Sequence, residues 1–155
     1  MHKIKIILIL FSLTVLLSSC GYTPRYAENK NINLSLKISN INGDREFNNF
    51  LKTKLKRYTE NKGDDNKTFY LSISSKYKKS TTLRDSSGLA KEYKLEIIVD
   101  LNIKSENIDK KITLNETFNM KKMDNAFDES KYERTIKNNF ADIVKEDLIF
   151  YLFKL

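Results

Sequence analysis

Cysteine, histidine, tryptophan, proline and glycine are all scarce in this chain of 155 residues, which holds one Cys, one His, no Trp, one Pro and four Gly. A lone cysteine, Cys20, cannot close an internal disulfide, so the fold must rest on packing. The lone histidine is His2, at the start of a segment that reads as a removable leader. The chain beyond the leader therefore has no imidazole, and zinc sites of the usual kind cannot be assembled from it. Ser-His-Asp and Cys-His nucleophilic systems lose their base for the same reason. Composition alone leaves a carboxylate-pair enzyme or a Ser-Lys hydrolase open, yet no glycine-rich phosphate loop or catalytic motif accompanies either. These absences point to a binding or assembly protein: no catalytic residues, no metal, no cofactor, not an enzyme.

What is present begins at the amino end. Lys3 and Lys5 come just after His2, and Ile6 to Leu17 is then apolar except for Ser12 and Thr14. At roughly a dozen residues this run is short of the ~20 that a spanning helix needs. A basic start, a short apolar run and small residues before a cut are the layout of a secretory signal peptide. The cut would fall before a cysteine, and Leu17-Ser18-Ser19-Cys20 resembles the lipobox of bacterial lipoproteins. That resemblance implies a diacylglyceryl thioether on Cys20, removal of residues 1–19, and acylation of the new α-amino group, palmitate being the expected fatty acid. One acyl chain anchors only marginally, whereas two or three hold a protein on a bilayer without any spanning helix. Gly21 in place of an aspartate resembles lipoproteins sorted to the outer membrane. The expected organisation is a signal peptide over 1–19, a lipidated tether over 20–31 and a single domain over 32–155.

Net charge is +8, and losing Lys3 and Lys5 with the leader lowers it to +6. A basic balance suits nucleic acid, anionic lipid or another acidic ligand. Export makes nucleic acid the poor candidate. The abundance of Lys, Asn and Ile together is also what a biased genome composition produces.

Hydrophobic periodicity supplies the fold. Ile32, Leu34, Leu36 and Ile38 alternate with polar residues, as a half-buried strand does. Asn42-Gly43-Asp44 is a turn with Asp44 placed to cap a helix. Phe47, Phe50, Leu51, Leu55 and Tyr58 then recur at helical spacing. After a polar loop there are three more alternating segments: Phe69, Leu71, Ile73 and Tyr77; Tyr93 to Ile103, with Ile98 as the one exception; and Ile112, Leu114 and Phe118. Ser105 to Asp109 reads as the loop between the last two. A final helix, with Asp128 as its expected cap, carries Tyr132, Ile136, Phe140, Ile143, Val144, Leu148, Tyr151 and Leu152 as one stripe. The expected fold is α+β, in the order strand, helix, three strands, helix. Its two helices pack on one face of a four-stranded, mostly antiparallel sheet.

Between the second and third strands, Tyr77 to Tyr93 is long and polar, with Arg84-Asp85-Ser86-Ser87-Gly88 as the turn. Tight hairpins need only two to five loop residues, so this one is expected to project beyond the sheet. Lys78, Lys79, Arg84 and Lys91 are the candidate anion contacts, through charge-assisted hydrogen bonds to phosphate. The alternative is a solvated loop in a lysine-rich protein.

The lipobox followed by Cys20-Gly21-Tyr22-Thr23-Pro24-Arg25-Tyr26 resembles the start of the LPS-assembly lipoprotein family LptE, in its alphaproteobacterial form. Arg25 stands where that pattern often has leucine. The element order is similar to that family's fold as well. The resemblance implies an outer-membrane lipoprotein on the periplasmic face, seated inside the LptD β-barrel, which it helps to assemble. It also implies contact with lipopolysaccharide during insertion at the outer membrane. An alternative is an accessory or pilot lipoprotein of another secretion or lipid-transport machine.

Overall fold

The computed structural model describes residues 34–60 and 67–155. The leader, Cys20, the tether and Ile32 lie outside them, as does most of the polar loop before the second strand. The elements are β1 (Leu34–Gly43), α1 (Arg45–Thr59), β2 (Lys67–Arg84), β3 (Ala90–Ser105), β4 (Ile108–Lys121) and α2 (Ala126–Phe153). One sheet contains all four strands in the order β1-β2-β3-β4. β1 runs parallel to β2, because α1 returns the chain across the sheet between them. The other neighbours are antiparallel hairpins. This is the expected α+β architecture, two helices over one face of a mostly antiparallel sheet.

The alternating apolar positions all point to the helix side. Leu36, Phe69, Leu71, Ile73, Leu95, Ile97, Val99, Leu101 and Ile103 are buried there. Phe47, Leu51 and Leu55 of α1 cover them, together with Ile136, Phe140, Val144, Leu148 and Leu152 of α2. Full burial of each such side chain stabilises by ~1.5–3 kcal/mol. The helices run in the same direction, since Arg134 pairs with Glu46 at 3.2 Å and Lys54 with Asp142 at 2.7 Å. In β1 the register slips between Ile38 and Asn40, a bulge that returns Ile41 to the core side opposite Ile73. Ile98 lies on the opposite face, as its place in the pattern requires.

A polar knot fastens the crossover. Gly43 has a φ of +100°, and a Cβ there would collide with the Ser75 carbonyl oxygen. This close approach lets the Asp44 N–H donate to Ser75 Oγ at 3.0 Å, while Asp44 Oδ1 caps α1 by accepting from the Phe47 N–H at 2.8 Å. Ser75 Oγ in turn donates to Asn48 Oδ1 at 2.8 Å, and Asn48 Nδ2 donates to the Asn42 carbonyl at 2.9 Å.

Three expectations are corrected. Asn125, not Asp128, caps α2: its side chain accepts from the N–H groups of Phe127 and Asp128. Asp128 instead sits in the first turn, where its charge favours the helix dipole. The β3–β4 loop is shorter than expected, because Ser105 and Ile108 are already paired. Nor does the long hairpin project as a free arm. β4 accompanies β3 as far as Lys121 opposite Glu92, so only the turn around residues 83–91 extends beyond the three-stranded region.

Candidate functional site

Beyond Ser75 the core-side positions of β2 change character, from Phe69, Leu71 and Ile73 to Tyr77, Lys79 and Thr81. α1 begins level with Ser75, so only the first half of α2 covers this end. Its answering residues, Glu129, Glu133 and Lys137, are spaced four apart and share one helix face. Tyr77 Oη donates to Glu133 Oε1 at 2.7 Å. Lys79 Nζ donates to Glu129 Oε1 at 2.8 Å and to Glu133 Oε2 at 2.9 Å, and stands 4.3 Å from the centre of the Tyr93 ring. Lys137 Nζ lies over the Tyr77 ring at 4.1 Å and pairs with Asp44 and Glu46 at 3.3 and 3.4 Å.

These contacts set the titration of the cluster. Burial, and then the hydrogen bond to Glu133, push the Tyr77 phenol far above its usual range. Burial alone would lower the Lys79 ammonium, but its hydrogen bonds to Glu129 and Glu133 outweigh that and hold it above its ordinary value. Glu129 is held below the usual carboxylate range, first by Lys79 and, against burial, by the Met123 N–H. Two carboxylates thus offset the charge of Lys79.

Lys78, one residue earlier, faces the other side of the sheet, so the structure does not bring Lys78 and Lys79 into one patch. Lys78 Nζ is 3.6 Å from Glu96 and its side chain is about half exposed. Arg84 and Lys91 do come together, around the Asp85 turn. Asp85 Oδ1 accepts from the Ser87 N–H at 3.0 Å, the Ser87 hydroxyl at 2.6 Å and the Leu89 N–H at 3.0 Å. Those bonds, the Ser87 hydroxyl foremost, hold its carboxyl below the ordinary value. Gly88 adopts φ +84°, and Arg84 Nη1 donates to its carbonyl at 2.8 Å. Lys91 Nζ lies 3.9 Å from Asp85 Oδ2. The turn is therefore a preformed, basic tip.

Two residues at this tip were not anticipated from the sequence. Leu83 and Leu89 are 56% and 61% exposed, so the tip offers apolar surface beside its cations. Their signal was two leucines inside an otherwise polar turn. The Glu129–Glu133–Lys137 ladder was also readable as an i, i+4 series, but its partners Tyr77 and Lys79 were not.

Rare lipoprotein B from Shewanella oneidensis has a similar structure, with a TM-score of 0.54 over 78% of this chain and 96% of that one, at 15% identity. A minor lipoprotein from Acinetobacter baumannii aligns over 74% of this chain and 91% of its own, at 16% identity and a TM-score of 0.48. Lipoprotein B from Nitrosomonas europaea covers 74% and 81%, at 14% identity and 0.48. What this chain shares with rare lipoprotein B is the fold. No protein-family model matches the sequence, and no curated protein matches it significantly.

Proposed function

We propose that this chain is a lipid-anchored envelope protein, held through Cys20 on the periplasmic face of the outer membrane. There it assists assembly of the LptD barrel and insertion of lipopolysaccharide. The observation that supports this reading is a lipobox cysteine standing ahead of a domain with the fold of rare lipoprotein B. The acyl chains confine the domain to the bilayer surface, where it acts by fitting into a larger partner. At the hairpin tip, Arg84 and Lys91 meet lipopolysaccharide phosphates while Leu83 and Leu89 lie against its acyl chains. Lys78 adds charge on the outer face of the sheet. Lys79, offset by Glu129 and Glu133, keeps the hairpin against α2.

The test is recovery of the tagged, lipidated chain from outer membranes, with identification of the barrel bound to it. Co-purification of LptD is the expected result. Recovery of a secretin instead would replace this reading with that of a pilot lipoprotein. Charge reversal at Arg84 and Lys91 together is expected to lower capture of lipopolysaccharide, and unchanged capture would reduce the tip to a solvated loop.

A further inference from the structure

The two edges of the sheet are unlike each other. β1 is interrupted by its bulge, which blunts an edge against pairing. β4 runs from Ile108 to Lys121 without bulge or proline, and no strand lies beyond it among the described residues. The Lys122 N–H donates to the Lys91 carbonyl at 2.9 Å, one step past the pair Glu92–Lys121. By alternation, the even-numbered residues of β4 bond to β3 and the odd-numbered ones turn their N–H and C=O groups outward. Asp109, Lys111, Thr113, Asn115 and Thr117 therefore present an unpaired backbone edge.

On the helix side of this edge stand Ile108, Lys110, Ile112, Leu114, Glu116 and Phe118. Ile112 and Leu114 are half-buried and Phe118 is 39% exposed, so apolar surface reaches the edge. Lys110 and Glu116 bracket it, and neither has an oppositely charged partner among the described residues. Burial, then Asp147, push the Glu116 carboxyl up, with no cation to offset them. Charges that point inward from an edge strand discourage indiscriminate pairing. They leave open only a register in which each meets its opposite.

Such a register exists, and it is self-complementary. Two antiparallel β4 strands with a two-fold axis at Thr113 set Lys110 against Glu116 at both ends. The same register sets Ile112 against Leu114 and Ile108 against the exposed Phe118. On the other face Asp109 meets Thr117 and Lys111 meets Asn115. Moving the axis by one residue either way sets Glu116 against Ile108 or Ile112, which strands the charge on an apolar neighbour. Because the odd positions carry the new hydrogen bonds, the even ones become the close pairs, ~4.5 Å between Cα atoms. We infer that two copies of this chain join through β4 into one continuous sheet, with Thr113 at the dyad. An isologous contact of this kind closes on itself, so it gives a dimer and not a filament. It does not depend on the barrel reading.

The experiment follows the mass of the full-length chain by sedimentation in excess detergent as its concentration rises. The wild type is expected to double in mass. Lys110→Glu and Glu116→Lys should each weaken association by about tenfold, since like charges then face each other at both ends. Mixing these two variants restores every opposite-charge pair and should give a dimer with one copy of each. Misfolding of either variant cannot produce that rescue. Thr113→Cys should cross-link under mild oxidation, its two Cα atoms being ~5.5 Å apart. Asn115→Cys, roughly 13 Å from its counterpart, should not. The unsubstituted chain, with Cys20 alone, is the control for both. A wild type that stays monomeric up to about 0.1 mM, variants that associate as tightly as wild type, or a mixture without rescue would overturn the dimer. So would cross-linking at position 115 equal to that at 113. Barrel capture, scored separately, stands or falls on its own.

Discussion

The contact between sheet and helices has two halves made of different materials. In one, Phe69, Leu71 and Ile73 are sealed beneath both helices. In the other, Tyr77 and Lys79 meet only α2, through Glu129, Glu133 and Lys137. The end of α1 at Asp44 marks the change, because a single helix leaves the flanks open to water. Apolar area supplies strength in the first half. In the second, hydrogen bonds and ion pairs contribute only ~0.5–1.5 kcal/mol each, but they fix direction and register. On β2 the hairpin is thereby fastened to α2 by polar contacts, beside the buried Leu95, Ile97 and Met120 of its neighbours, while its tip is left basic and exposed.

The sharpest break of this contrast sets one inward side chain against another on the same strand. Leu71→Ala should destabilise by ~2–5 kcal/mol, through lost transfer energy and the cavity left behind. Tyr77→Phe should cost only about 1 kcal/mol. Denaturant unfolding of both variants checks this, and equal losses would erase the distinction between the halves. Gly43→Ala acts at the boundary. A left-handed backbone costs an alanine ~1–2 kcal/mol, and the added methyl also meets the Ser75 carbonyl, so a total near ~3 kcal/mol is expected from the same unfolding measurement.

The polar half should also declare itself in the acid limb of the stability curve. Glu129 titrates lower in the folded chain than unfolded, so its contribution is present above the ordinary value of 4.5 and is lost as pH falls through the folded value. Glu129→Gln should flatten that limb and cost about 1 kcal/mol at neutral pH. The smallest effect has the opposite sign. Glu116 points inward from β4, and burial, then Asp147, push its carboxyl above the usual range. A raised folded value means stability present at low pH and lost as pH rises through it. Glu116→Gln should therefore stabilise at neutral pH by on the order of 0.5 kcal/mol, visible as a small rise in melting temperature.

Much of this architecture was legible in the chain because strands alternate with a period of two and helices repeat near ~3.6 residues. Leu95 to Ile103 and Ile136 to Leu152 could be assigned to faces on that ground alone. Asp44 announced its helix, since a short acidic side chain before an apolar repeat has few better uses. The cap at Asn125 was missed because Asp128 offered the same chemistry three residues on. The bulge at Ser39 shows in the sequence only as a single break of phase, Ile38 and Ile41 sitting three apart where strict alternation would put two. The candidate anion site was only half readable: the cations were plain, their partners were not.

By itself the sequence determined the leader pattern around Cys20, the six elements and which side of each is apolar, because those properties are carried by neighbouring residues. Tertiary structure alone decided the fates of Lys78 and Lys79. Successive strand residues point to opposite faces, and the carboxylates that meet Lys79 come from a helix far along the chain. Whether a charge is spent or available depends on what lies across from it in space, and adjacency in sequence does not encode that.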